Sequence, residues 1–133
     1  ALSVVVAFPL EKRATKFDKC NDNIDILDVT ISPDPLTPLK SLTMNASGKV
    51  KNTVEEGVVE ANVLVLNENN SVNDSFLGGD FMLTAKKGKQ FNALININPL
   101  PNNFKIVMTV TASDDEGNTI GCANKTFDFL NKN

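Results

Sequence analysis

The 133-residue chain contains no histidine, no tryptophan and no tyrosine. Without histidine it lacks the usual general base at neutral pH and the commonest transition-metal ligand, so neither a Ser-His-Asp nor a Cys-His arrangement can be assembled. Catalysis is therefore not expected, and neither is a cofactor or a bound metal. Tryptophan and tyrosine are frequent anchors of protein interfaces, and their absence fits a chain that acts as a monomer. Positive charge is also short: 13 Lys and Arg stand against 16 Asp and Glu, for a net charge of -3. Nucleic-acid affinity rests on Lys and Arg neutralising phosphates, so no nucleic-acid partner is expected. The same balance gives no long-range pull toward anionic membranes, which leaves membrane contact local and transient.

What is present describes one ordinary globular domain, with 41% hydrophobic and 22% charged residues. The first residues differ from the rest. Ala1 to Phe8 form an apolar run of the length of a signal-peptide core, too short to cross a bilayer, and Leu10-Glu11-Lys12-Arg13 follows as a dibasic processing site. Residues 1–13 read as the remnant of a signal or pro-segment and residues 14–133 as the mature domain. An apolar first strand is the other reading of the run.

Asn-x-Ser/Thr sequons begin at Asn45, Asn69, Asn73 and Asn124, and are candidate glycosylation sites of a secretory protein. The two cysteines, Cys20 and Cys122, are an even count in that context and suggest one disulfide, with two buried free thiols as the alternative. A bridge closing a loop of about 100 residues stabilises the fold by roughly 4 to 5 kcal/mol in the chain-entropy model. Secretion, or delivery to a vacuolar or lysosomal lumen, is the expected location.

From Ile24 onward the apolar residues alternate or come in short runs between turn residues, and no sustained 3.6-residue period appears. Leu27, Val29 and Ile31 share one face of a strand that ends at Ser32-Pro33-Asp34-Pro35. Leu42, Met44 and Ala46 mark a second strand, Val50 to Val54 a third, and Val59, Ala61, Val63 and Val65 a fourth. Residues 67–80 read as a long polar loop around the pair Phe76-Leu77. Strands are expected again at Phe81 to Ala85 and Gln90 to Asn98, then at Phe104 to Ser113 and Thr119 to Phe129 around an Asp114-Asp115-Glu116-Gly117-Asn118 turn. About seven or eight short antiparallel strands at this spacing describe an all-β, immunoglobulin-like two-sheet sandwich.

The order of these features resembles the ML (lipid-recognition) domain family, and is most similar to its fungal phosphatidylglycerol/phosphatidylinositol transfer proteins and lysosomal cholesterol carriers. Phe17-Asp18-Lys19-Cys20 resembles the family's opening aromatic-x-x-Cys, and Asp28 to Pro35 its first strand with a Ser-Pro-x-Pro exit. Leu42 to Gly48 is similar to the second strand, and Ile106 to Thr111, Asp114-Asp115-Glu116 and Ile120-Gly121-Cys122 to the closing strands and cysteine. The further mid-chain cysteines common in the family are missing.

The resemblance implies that Cys20 pairs with Cys122 and that an acyl chain or sterol lies between splayed sheets. Its lining would come from the strand positions expected to face inward: Val29, Ile31, Leu42, Met44, Val59, Val63, Phe81, Leu83, Leu94, Ile106, Met108, Val110 and Phe127. Phe76, Leu77 and Leu100 are the candidate rim or membrane-touching residues. A secreted structural sandwich with a filled core needs the same inward residues and is the competing reading. A hydrolase built on paired carboxylates is a third, without a convergent pair in the sequence.

Overall fold

A computed structural model describes residues 14–130. The apolar run and dibasic pair at residues 1–13 lie outside the described residues. Seven strands form, and no helix occurs among the described residues: β1 (Asp28–Ser32), β2 (Leu42–Lys49), β3 (Val54–Leu66), β4 (Val72–Ala85), β5 (Gln90–Ile97), β6 (Lys105–Ser113) and β7 (Thr119–Asp128). They make two antiparallel sheets, of order β1-β2-β5 and β4-β3-β6-β7.

The period-2 pattern explains which faces meet. In β6 the buried Ile106, Met108, Val110 and Ala112 alternate with half-buried Val107, Thr109 and Thr111, and register pairs them with buried Val65, Val63, Ala61 and Val59 of β3. In the other sheet Val29 and Ile31 stand beside Ala46 and Met44, which stand beside Ala93 and Ile95. The two inner faces form one apolar core, with no buried polar or charged side chain among the described residues.

Two expectations about strands are corrected. Val50 to Val54 is not a strand of its own: Val50 belongs to the linker, and β3 starts at Val54 and runs on through Leu66. Its first residues pass a register shift between Val54 and Gly57, where the Asp115 carboxylate accepts the Glu55 and Glu56 amides at 2.9 and 2.7 Å. Nor are residues 67–80 a loop. Only the turn from Asn67 to Ser71 joins β3 to β4, closed by the Asn67 amide on the Ser71 carbonyl at 2.8 Å, and the ladder resumes at Val72. An edge strand leaves many side chains in water, so Asn73, Asp74, Ser75 and Asp80 sit there without desolvation.

The sheets approach along two seams. At one, residues 17–27 cross from β7 to β1. Cys20 and Cys122 form a disulfide with a Cα separation of 5.8 Å. Asp18 and Asn124 exchange both backbone hydrogen bonds at 2.8 Å, the Leu27 amide donates to the Cys122 carbonyl at 3.2 Å, and the Cys122 amide to that of Asp25 at 3.0 Å. At the other seam β4 and β5, joined by the Lys86–Lys89 turn, run side by side as the facing edges of different sheets. No backbone hydrogen bond joins these two strands among the described residues.

Candidate functional site

The interior between the sheets collects most of the expected lining residues. Val29, Ile31, Leu42, Met44, Val59, Val63, Leu83, Ile106, Met108 and Val110 are all buried in one cluster. Met44, Val59, Ile106, Met108 and Val110 have no surface that a water molecule can reach, so side chains fill the space between them. Phe127 is half-buried at the β7 side, stacked on Phe129 at 6.1 Å and edge-on to Phe17 at 6.2 Å.

The remaining candidates separate. Leu94 is corrected: it is 59% exposed on the outer face of β5, beside Asn45, while Phe91, Ala93, Ile95 and Ile97 point inward. The side-chain period of a strand is 2, so a one-residue error in phase moves a side chain to the other face. The signal was available, because Leu94 shares its parity with Asn92 and Asn96. Leu100 is also corrected, from rim to core: it is 1% exposed, and its carbonyl accepts the Leu39 amide at 2.8 Å. Phe76 stands on β4 opposite Val63 and packs half-buried on the core, whereas Leu77 stands opposite Asn62 and faces water. Phe81 is opposite buried Val59, yet its place on the edge strand leaves it 40% exposed.

Between Phe76 and Phe81 the β4 backbone comes close to its neighbours at two glycines. A Cβ on Gly79 would lie 2.5 Å from Ile95 Cγ2 and 2.9 Å from the Asn96 carbonyl oxygen. One on Gly78 would lie 3.0 Å from Val63 Cγ2 and 3.1 Å from the Ala61 carbonyl oxygen. Only a residue without a side chain lets β4 approach so closely.

Polar features lie outside this interior. A cleft of about 570 Å3 at one end of the sandwich is lined by charged residues such as Asp25, Lys49, Lys51 and Glu116. In the adjoining turn Asp114 Oδ1 accepts the Glu116 and Asn118 amides at 3.0 and 2.9 Å, so this carboxylate holds its own turn. Of the sequon asparagines, Asn45, Asn69 and Asn73 are exposed, whereas Asn124 is half-buried in β7. Asn69 Oδ1 accepts both the Ser71 amide, at 3.1 Å, and the Ser71 hydroxyl, at 2.6 Å.

The interior has apolar walls that include Met44 and Met108, and no buried polar or charged side chain occurs among the described residues. A profile of the ML domain family matches residues 14–129. The chain belongs to the ML domain family. Among solved structures, this ML-domain chain is similar to chicken MD-1 complexed with lipid IVa, at 14% identity and a TM-score of 0.57 over 86% of this chain and 88% of that one. It is similar also to a Niemann-Pick type C2 protein from the Japanese carpenter ant, at 13% identity and a TM-score of 0.60 over 84% and 97%. At these identities the two structures speak for the shared fold. A search of curated protein sequences finds no significant match.

Proposed function

We propose that this ML-domain chain is a non-catalytic lipid carrier, secreted or held in a vacuolar or lysosomal lumen, which takes the apolar part of a sterol or phospholipid between its sheets. The observation that carries the reading is the interior itself: two facing aliphatic surfaces without one buried polar or charged side chain among the described residues, in a chain of this family. A headgroup carried inside would lose its hydration with nothing to replace it, so the head stays at the surface and only the chain or ring system enters. Burial contributes about 0.8 kcal/mol per methylene, on the order of 10 kcal/mol for a long acyl chain. That gain offsets the packing energy given up when Met44, Met108 and their neighbours move aside. The MD-1 neighbour holds lipid IVa, which is consistent with a sandwich of this shape accepting acyl chains.

Exposed Leu77 belongs to the face that would touch a bilayer during transfer, with half-buried Phe76 behind it. Exposed Asn45, Asn69 and Asn73 are the sequons best placed to carry glycans, and the carrier works as a monomer.

One observation favours the competing reading, a structural sandwich with a permanently filled core: the inward side chains already fill the space between the sheets. Native mass spectrometry and organic extraction of gently purified protein, followed by incubation with a fluorescent sterol and a fluorescent phospholipid, separate the two. A carrier retains one lipid per chain and binds at least one probe. A protein that yields no lipid and binds neither probe is the structural sandwich.

A further inference from the structure

The outer face of the β1-β2-β5 sheet lies open to water, yet an apolar side chain stands at its centre. Register places Thr30, Asn45 and Leu94 side by side across the three strands, and all three are exposed. The rows on either side, Asp28-Ser47-Asn92 and Ser32-Thr43-Asn96, contribute hydroxyls, carboxamides and a single charge. Leu94, at 59%, is the one exposed large hydrophobic of these strands. Its cross-strand neighbour Asn45 opens the sequon Asn45-Ala46-Ser47.

From this we infer that Asn45 carries an N-linked glycan that lies down on this face and covers Leu94, so that the three-stranded sheet is turned away from membranes and partners. The inference rests on the secretory reading above, which supplies the co-reactant, a polyprenyl diphosphate-linked oligosaccharide. Asn45 Nδ2 forms a bond to C1 of the first N-acetylglucosamine and loses a proton. The bond from C1 to the diphosphate oxygen breaks, and the polyprenyl diphosphate leaves with its electron pair. Three observations support this. Asn45 and Ser47 are two residues apart on one strand, so the whole recognition pair points away from the core. Opposed residues of an antiparallel pair have Cβ atoms about 5 Å apart, so the first sugar on Asn45 reaches Leu94 without leaving the sheet. A pyranose ring turns a face of C–H groups to the leucine methyls, and its hydroxyls meet Thr30, Thr43 and Asn92, uncharged groups that are cheap to desolvate. The other sequons lack such a seat. Asn69 lies in the β3–β4 turn and Asn73 just after it, where Asn73 Nδ2 already donates to Asn67 Oδ1 at 3.3 Å, and Asn124 is half-buried.

Site occupancy and footprinting test the cover. The full chain is produced in a eukaryotic secretory host, and the exported protein is mapped by peptide mass spectrometry for glycans at all four sequons. Wild type and Asn45→Gln are then labelled with hydroxyl radicals. Asn45 is expected to be occupied, and Leu94 to be labelled several-fold less in the glycosylated wild type than in Asn45→Gln. Leu77, exposed on the other sheet, serves as the control and is expected to label equally in both. An exported protein with Asn45 bare overturns the inference and leaves the secretory reading standing. So does an occupied Asn45 with Leu94 labelled equally in the two proteins. A chain that is neither exported nor glycosylated overturns both. If Asn45→Gln fails to fold or to leave the cell, wild-type protein stripped by peptide N-glycosidase takes its place as the bare reference, with the same outcomes.

Discussion

The two seams of this sandwich use the same element, a glycine in close contact across the gap, to opposite effect. At Gly121 an added Cβ would lie 2.5 Å from Leu27 Cδ2, within a seam also held by a disulfide and backbone hydrogen bonds. At Gly79 it would lie 2.5 Å from Ile95 Cγ2, within a seam that has neither a disulfide nor a backbone hydrogen bond between its strands among the described residues. Close approach is thus not the same as firm closure. Each backbone hydrogen bond contributes about 0.5 to 1.5 kcal/mol net, and the covalent bridge limits the unfolded chain as well, so the β1–β7 side should be the last part of the molecule to open and the β4–β5 side the first.

The largest effect expected from breaking this asymmetry comes from the staple. C20S/C122S opens a loop spanning a sequence separation of 102 and should cost roughly 4 to 5 kcal/mol in urea unfolding. A loss below about 1 kcal/mol would mean that the β1–β7 seam owes little to the bridge. Next is the core that both seams enclose. Met108→Ala should cost about 3 kcal/mol without lipid, and less when a fatty acid is present to fill the cavity it leaves. An identical loss with and without fatty acid would put the ligand elsewhere.

The matched glycines sharpen the comparison further. Gly121→Ala should cost about 1 to 3 kcal/mol, because the stapled seam cannot part to admit the methyl group. Gly79→Ala should cost less, since β4 can move off β5, and should speed lipid loading while Gly121→Ala leaves the loading rate alone. Thermal unfolding and loading kinetics on the two variants check this together. The smallest effect belongs to Leu94→Asn, an outward-facing change expected to alter stability in urea unfolding by no more than about 0.5 kcal/mol.

The stapled half of the molecule was far more legible in the sequence than the open half. Val59 to Val65 and Ile106 to Ala112 alternate cleanly because each strand has one wet face and one dry face, and the pairing of the two cysteines followed from the family pattern. β4 was hidden for the opposite reason. An edge strand has little of its surface buried, so Asn73, Asp74, Ser75 and the glycine pair read as a loop although the backbone is extended and paired on one side. In β5 the run Ala93-Leu94-Ile95 placed apolar residues on both faces, and the phase had to be taken from the flanking asparagines. The seam itself has no local signature, since Gly79 meets Ile95 only after both sheets are assembled.

The chain carries its own reporters for the claim that a lipid lies between the sheets. Of its three methionines, Met44 and Met108 are wholly buried on opposing inner faces and Met82 is 73% exposed on β4. Titrating methyl-13C-methionine protein with a fatty acid should shift the Met44 and Met108 methyl resonances and give nuclear Overhauser effects from both to the acyl chain. A titration that moves Met82 alone, or none of the three, would contradict the account.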